Sequence, residues 1–111
     1  MTKRRELITG STDSLLLFLL GQQPMYGYQI IRELEDRSQG YFKYKEGTLY
    51  PALHRLEKSG LLVAQWQTAP GGRQRRYYHL TEKGRTMLVE RRSQWLDFLA
   101  AMNTIFQPVS A

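Results

Sequence analysis

The chain has 111 residues, enough for one modest core and too few for a catalytic domain with a separate substrate domain. Sixteen Lys and Arg against ten Asp and Glu leave a net charge of +6, an excess that favours nucleic acid or an anionic surface as partner, although it also serves solubility. Cysteine is absent, which excludes a disulfide framework, a thiolate zinc site and a cysteine nucleophile and makes a cytoplasmic setting the simpler expectation.

After a basic start (Lys3, Arg4, Arg5), Gly10-Ser11-Thr12-Asp13 offers several helix-capping residues, so a first helix is expected to begin there and to run through Ser14 and the apolar residues 15–20. That run is much shorter than the about 20 residues a bilayer span needs, and it lies too far along the chain to resemble a signal peptide. Six adjacent apolar residues cover every side of a helix, and enclosing all of them in so small a domain calls for a partner over the outer face. Gln22-Gln23-Pro24 breaks the pattern. Ile30, Ile31 and Leu34 then form one stripe on a second helix over residues 27–38, ended by Gly40. A third helix follows, with Leu49, Ala52, Leu53 and Leu56 at i, i+3, i+4 and i+7 and Gly60 as its stop. Pro51 donates no backbone hydrogen bond, so it costs least if Thr48 is the N-cap and Pro51 falls in the first turn.

Residues 61–67 and 75–80 are rich in Val, Trp, Tyr and Leu and flank Thr68-Ala69-Pro70-Gly71-Gly72-Arg73, which predicts a hairpin with a basic tip. Thr81 caps a long helix reaching to about Asn103, roughly 34 Å long at about 1.5 Å per residue. The order helix, helix, helix, hairpin, long helix is that of an α+β, mostly helical, winged helix-turn-helix with a long C-terminal dimerisation helix. Residues 1–80 form the DNA-binding part and 81–111 the dimerisation helix of one compact unit.

With the leucine face of the third helix turned to the core, the opposite side presents Gly47, Pro51, His54 and Lys58, flanked by Thr48 and Arg55. These are the residue types that address base edges and phosphates from a major groove, and in isolation they also suit a solvated helix face. Arg73, Arg75 and Arg76 at the hairpin are placed to reach phosphates or a minor groove, and the same arginines would protect an exposed sheet edge. On the long helix, Leu88, Trp95, Leu99, Met102 and Phe106 make a heptad-like seam suited to a partner helix, widened by Met87, Phe98 and Ile105. Arg91 and Arg92 interrupt it, so either the paired helices diverge there or these cations meet Glu90 or Asp97 across the interface. His54 and His79 fall on different elements with no carboxylate pair, phosphate loop or activated nucleophile, so no enzyme and no cofactor or metal is expected.

The segment Tyr44-Lys45-Glu46-Gly47-Thr48-Leu49-Tyr50-Pro51-Ala52-Leu53-His54-Arg55-Leu56-Glu57-Lys58-Ser59-Gly60-Leu61 resembles the signature of PadR-type transcriptional regulators. Arg75-Arg76-Tyr77-Tyr78-His79-Leu80-Thr81-Glu82-Lys83-Gly84 resembles the family's wing strand and linker, and Tyr26-Gly27-Tyr28 its second-helix opening. The resemblance implies a homodimeric winged-helix repressor of the short, single C-terminal helix type, released from operator DNA by a small molecule. It places Thr48, Tyr50 and Pro51 at the start of the recognition helix, and Arg75 and Arg76 beside the wing. One departure is Pro70, which precedes Gly71-Gly72 where many relatives have proline after the wing glycine. Trp95, with Leu15 or Phe18 as apolar walls, is the expected site for a flat aromatic or cationic effector, the alternative being a core or interface anchor. The alternative is a winged-helix module that binds protein instead of DNA; steep salt dependence of binding separates the two.

Overall fold

The computed structural model describes residues 3–109, with side chains over 11–109. Its elements are α1 (Lys3–Leu20), β1 (Met25–Tyr26), α2 (Gly27–Arg37), α3 (Glu46–Lys58), β2 (Leu62–Thr68), β3 (Gln74–Leu80) and α4 (Glu82–Phe106). The sheet order is β1-β3-β2, antiparallel throughout. Three helices, a hairpin and a long helix in this order make a winged helix-turn-helix. The sequence pattern did not signal β1; its two residues pair with Tyr78 and Tyr77 and close the open edge of β3.

α1 is longer than expected, because residues 10–13 lie inside the helix and do not cap it. Their polar side chains are spent on tertiary contacts: the Thr12 hydroxyl shares a 2.8 Å hydrogen bond with the Tyr44 hydroxyl, and the neighbouring Ser14 hydroxyl accepts one from Trp95. The basic residues Lys3, Arg4 and Arg5 fall within α1, but their side chains lie outside the described residues. Enclosure of the apolar run needs no second chain. Leu16, Leu17, Leu19 and Leu20 are all buried within this one, in a core shared with Ile30, Leu49, Leu53 and Tyr78, and only Leu15 and Phe18 stay half-exposed.

α3 also starts earlier than expected. Lys45 is its N-cap, and Thr48 is a helical residue whose N–H donates to the Lys45 carbonyl at 3.0 Å. Pro51 therefore sits beyond the first turn, and the Gly47 carbonyl lacks the usual N–H four residues on. The hairpin strands pair without interruption from Leu62↔Leu80 to Thr68↔Gln74. Between them Gly71 and Gly72 adopt φ of 90° and 85°, a left-handed conformation that glycine takes without strain.

Thr81 caps α4 as the sequence suggests: its hydroxyl accepts from the Gly84 N–H at 3.0 Å and donates to the Gly60 carbonyl at 2.6 Å. α4 has 25 residues, ending at Phe106 and not near Asn103, and the molecule measures 64 × 28 × 26 Å. At this N-terminal end Gly84 lies directly against the Leu61 carbonyl, leaving no room for a side chain. Gly84→Ala should therefore push α4 off the hairpin and lower stability by about 1–3 kcal/mol, read as a lower urea midpoint. An unchanged midpoint would show that this junction yields freely.

Candidate nucleic-acid interface

The face of α3 opposite its buried leucines is open to solvent: Gly47, Thr48, Pro51, His54, Arg55 and Lys58 are all exposed. Arg55 is not loose on it. Its guanidinium donates to the Asp13 carboxylate of α1 at 3.0 Å, an exposed pair that holds the side chain lightly. Tyr50 differs from the other expected residues because it is half-buried, its ring against Gly27 at the head of α2. Burial pushes its phenol pKa up, with the nearby Glu46 adding to the shift.

The three wing arginines have different surroundings. Arg73 is exposed in the loop itself. Arg75 stacks over the Tyr26 ring, 4.3 Å from its centroid. Arg76 donates to the Glu57 carboxylate of α3 at 2.9 Å and lies 5.6 Å from the centre of the Tyr78 ring. It braces the hairpin against α3, a role that charge counting alone does not reveal. Between α3 and the hairpin runs a crevice of about 400 Å³ lined by Tyr26, Tyr50, His54, Trp66, Arg75 and Arg76 among others. Sequence reasoning passed over Tyr26 and Trp66 here; the strand register, which sets Trp66 opposite Arg76, is the signal that finds Trp66.

A second groove of about 390 Å³ lies where α4 leaves the core, lined by Phe18, Gln22, Leu88, Arg92, Trp95 and Leu99 among others. Phe18 and Trp95 meet there as expected. Leu15 does not join them, because it faces an adjoining cavity of about 280 Å³ that shares Phe18 and Gln22. Trp95 is fixed at both ends: its indole N–H donates to the Ser14 hydroxyl at 2.8 Å, and its ring meets Phe98 edge-on at 5.7 Å. Arg91 also reaches the Ser14 hydroxyl, at 3.4 Å, while Arg92 borders the groove. Within the chain, Arg91 thus meets a hydroxyl.

Along the seam, Leu88 packs against Gly21 of its own chain. Further out, Leu99 is 54% and Phe106 71% exposed, beside exposed Leu96, Phe98 and Ile105. Met102 is half-exposed and borders, with Leu99 and Phe106, an open apolar hollow. Among the described residues no cluster of three metal-ligating side chains occurs.

Thr12, Asp13 and Ser14 thus tie α1 to the approach to α3, to α3 itself and to α4 in three successive residues. Tyr44 is buried in this set, as are Thr12 and Ser14. Burial raises its phenol pKa, the Thr12 hydrogen bond offsetting part of the shift, and burial likewise raises that of Tyr78. Because the folded state holds these phenols neutral, their contribution is complete below the unfolded value of about 10 and is lost as pH rises through the higher folded values. Urea midpoints should therefore fall between about pH 9 and about pH 11, and fall less in Tyr44→Phe. Equal alkaline losses in the two proteins would mean that Tyr44 ionises as freely folded as unfolded.

The geometry has close counterparts. A PadR-like transcriptional regulator of Bacillus cereus superposes with a TM-score of 0.85 at 28% identity, over 94% of this chain and 99% of that one. A PadR-family transcriptional regulator of Eggerthella lenta gives 0.76 at 31% identity, over 94% and 88%. In sequence, the chain is 44% identical over 88 residues to a transcriptional regulator of Mycobacterium tuberculosis, covering 79% of this chain and 78% of that protein. Residues 16–90 match the Transcriptional regulator PadR-like family, and the chain belongs to that family: it is a winged-helix transcriptional regulator and not an enzyme.

Proposed function

We propose that the protein is a homodimeric repressor that holds operator DNA through α3 and the hairpin and lets go when a flat aromatic or cationic molecule occupies the Trp95 groove. The observation that carries this reading is the open polar face of α3, with Thr48, His54, Arg55 and Lys58 exposed, together with the exposed Arg73 of the hairpin loop, on a chain of net charge +6. Thr48 and Pro51 are the base-facing group, Tyr50 supports them from the α2 side, and His54, Arg55 and Lys58 meet phosphates. Residues 1–80 act as the DNA-binding part and 81–111 as the dimerisation helix. Repression places the protein in the cytoplasm with the DNA, and no helix among the described residues is long and apolar enough to cross a membrane.

The distal half of α4 supports the dimer. A row of exposed Leu99 and Phe106 with half-exposed Trp95 and Met102 is an unfavourable surface in water, and a symmetry-related α4 covers it by the same contacts on both chains. Leu88, already packed on Gly21, contributes only at the margin of that interface.

An effector shifts DNA affinity only if it favours one arrangement of the two DNA-binding parts over another. A planar ring wedged against Trp95 and Phe18 moves α4 relative to α1. Through Thr12 and Asp13 the same turn of α1 contacts Tyr44 and Arg55 at the recognition helix. Binding would thus change the separation of the two α3 helices from the roughly 34 Å of one DNA turn.

Replacing Arg73, Arg75 and Arg76 by Ala should weaken all duplex sequences alike and reduce the log–log salt slope by roughly 0.9 for each phosphate no longer neutralised; an unchanged slope would place the wing off the backbone. Leu99→Asp should sediment as a folded monomer, and a folded dimer would move the interface elsewhere. In Trp66→Phe protein, planar aromatics should quench Trp95 emission and lower operator affinity together. A panel that alters neither would make Trp95 a structural anchor alone.

A further inference from the structure

Trp66 stands apart from every role assigned so far. It is 69% exposed on β2, directly opposite Arg76, at the mouth of the crevice between the hairpin and α3. The opposite wall carries His54, and the floor is Tyr50, whose hydroxyl fills the space that a Cβ on Gly27 would need. Arg75, stacked on Tyr26, lines the same crevice. The two walls are bridged by the 2.9 Å Arg76–Glu57 pair.

A helix lying in a major groove and a hairpin tip reaching the adjacent minor groove are separated on the duplex by one sugar–phosphate strand. That strand has to cross the space between α3 and the wing. We infer that the crevice seats it, with the Trp66 indole lying against a deoxyribose and Arg75 and His54 facing the phosphates on either side. The chemistry matches: the strand alternates an apolar ring with an anion, and the crevice alternates an uncharged aromatic face with cationic and imidazole groups. This gives an otherwise unfavourable exposed tryptophan a surface to cover it, and makes Trp66 a sequence-independent DNA contact. The inference rests on the DNA-binding reading above.

Trp66 and Trp95 are the two tryptophans of the chain, so Trp95→Phe leaves Trp66 as sole emitter. The probe is a fluorescein-labelled mixed-sequence duplex at low ionic strength, followed by anisotropy for binding and by indole emission for contact. Trp66 emission should change in step with anisotropy. Should Trp95→Phe disturb the fold, the difference between wild-type and Trp66→Phe emission gives the same readout. Trp66→Ala should lower affinity about tenfold for every sequence, with the salt slope unchanged because no charge is removed, and Trp66→Phe should retain most of the binding. Anisotropy showing a bound duplex while Trp66 emission stays constant, or Trp66→Ala binding within about twofold of wild type, would overturn the contact and leave the DNA reading standing. No bound duplex even at low salt would overturn both.

Discussion

Burial of α1 is the constraint on which the other elements depend. Its leucines at 16, 17, 19 and 20 fill the centre of the core, so α2, α3, the sheet and the base of α4 are each positioned against it. On the same helix three consecutive polar residues fix orientation where leucine packing only fixes distance. Thr12 is buried against Tyr44, where an unmade hydrogen bond would cost about 1–3 kcal/mol, so this contact holds the approach to α3 in one register. Ser14, also buried, does the same for α4 through Trp95. Asp13 adds a weaker, exposed tie to Arg55.

The charges divide by what surrounds them. Arg76, paired with Glu57, and Arg55, paired more lightly with Asp13, spend part of their charge on carboxylates of their own chain. Arg73, His54 and Lys58 are exposed, and in the proposed reading they face the anionic partner. A chain with a charge of +6 can therefore present a directed surface without a large cluster of like charges in one place.

Much of this was legible in the sequence because it is written in short-range pattern. The leucine spacing of the third helix, the Pro-Gly-Gly turn and the Thr81 cap each act within a few residues, and each is found where the pattern put it. The polar face of α3 followed from the leucine face, since 3.6-residue periodicity fixes both at once. What was hidden depends on distant partners. Residues 10–13 read as a cap because the groups that tie down this turn of α1, on Tyr44, Arg55 and Trp95, are 32 or more residues away. Thr48 read as a cap because an early proline usually marks a first turn, whereas α3 starts at Glu46 and accommodates Pro51 inside. The difference between Arg73 and Arg76 could not be seen either, for it arises from a carboxylate 19 positions earlier on another element.

The proposed effector response rests on α4, an element that likewise depends on distant contacts. Its base is held by a cap and by a glycine against Leu61, its middle by Leu88 on Gly21 and by hydrogen bonds to the Ser14 hydroxyl, while Leu99, Ile105 and Phe106 towards its end are exposed. Operator binding of the proposed kind requires two recognition helices presented by one dimer. Selection of duplexes from a random pool by the purified protein tests this directly. The expected product is a palindrome whose half-site centres lie about one helical turn, roughly 34 Å, apart. Recovery of unrelated sequences with no repeated half-site, or no enrichment over the starting pool, would contradict it.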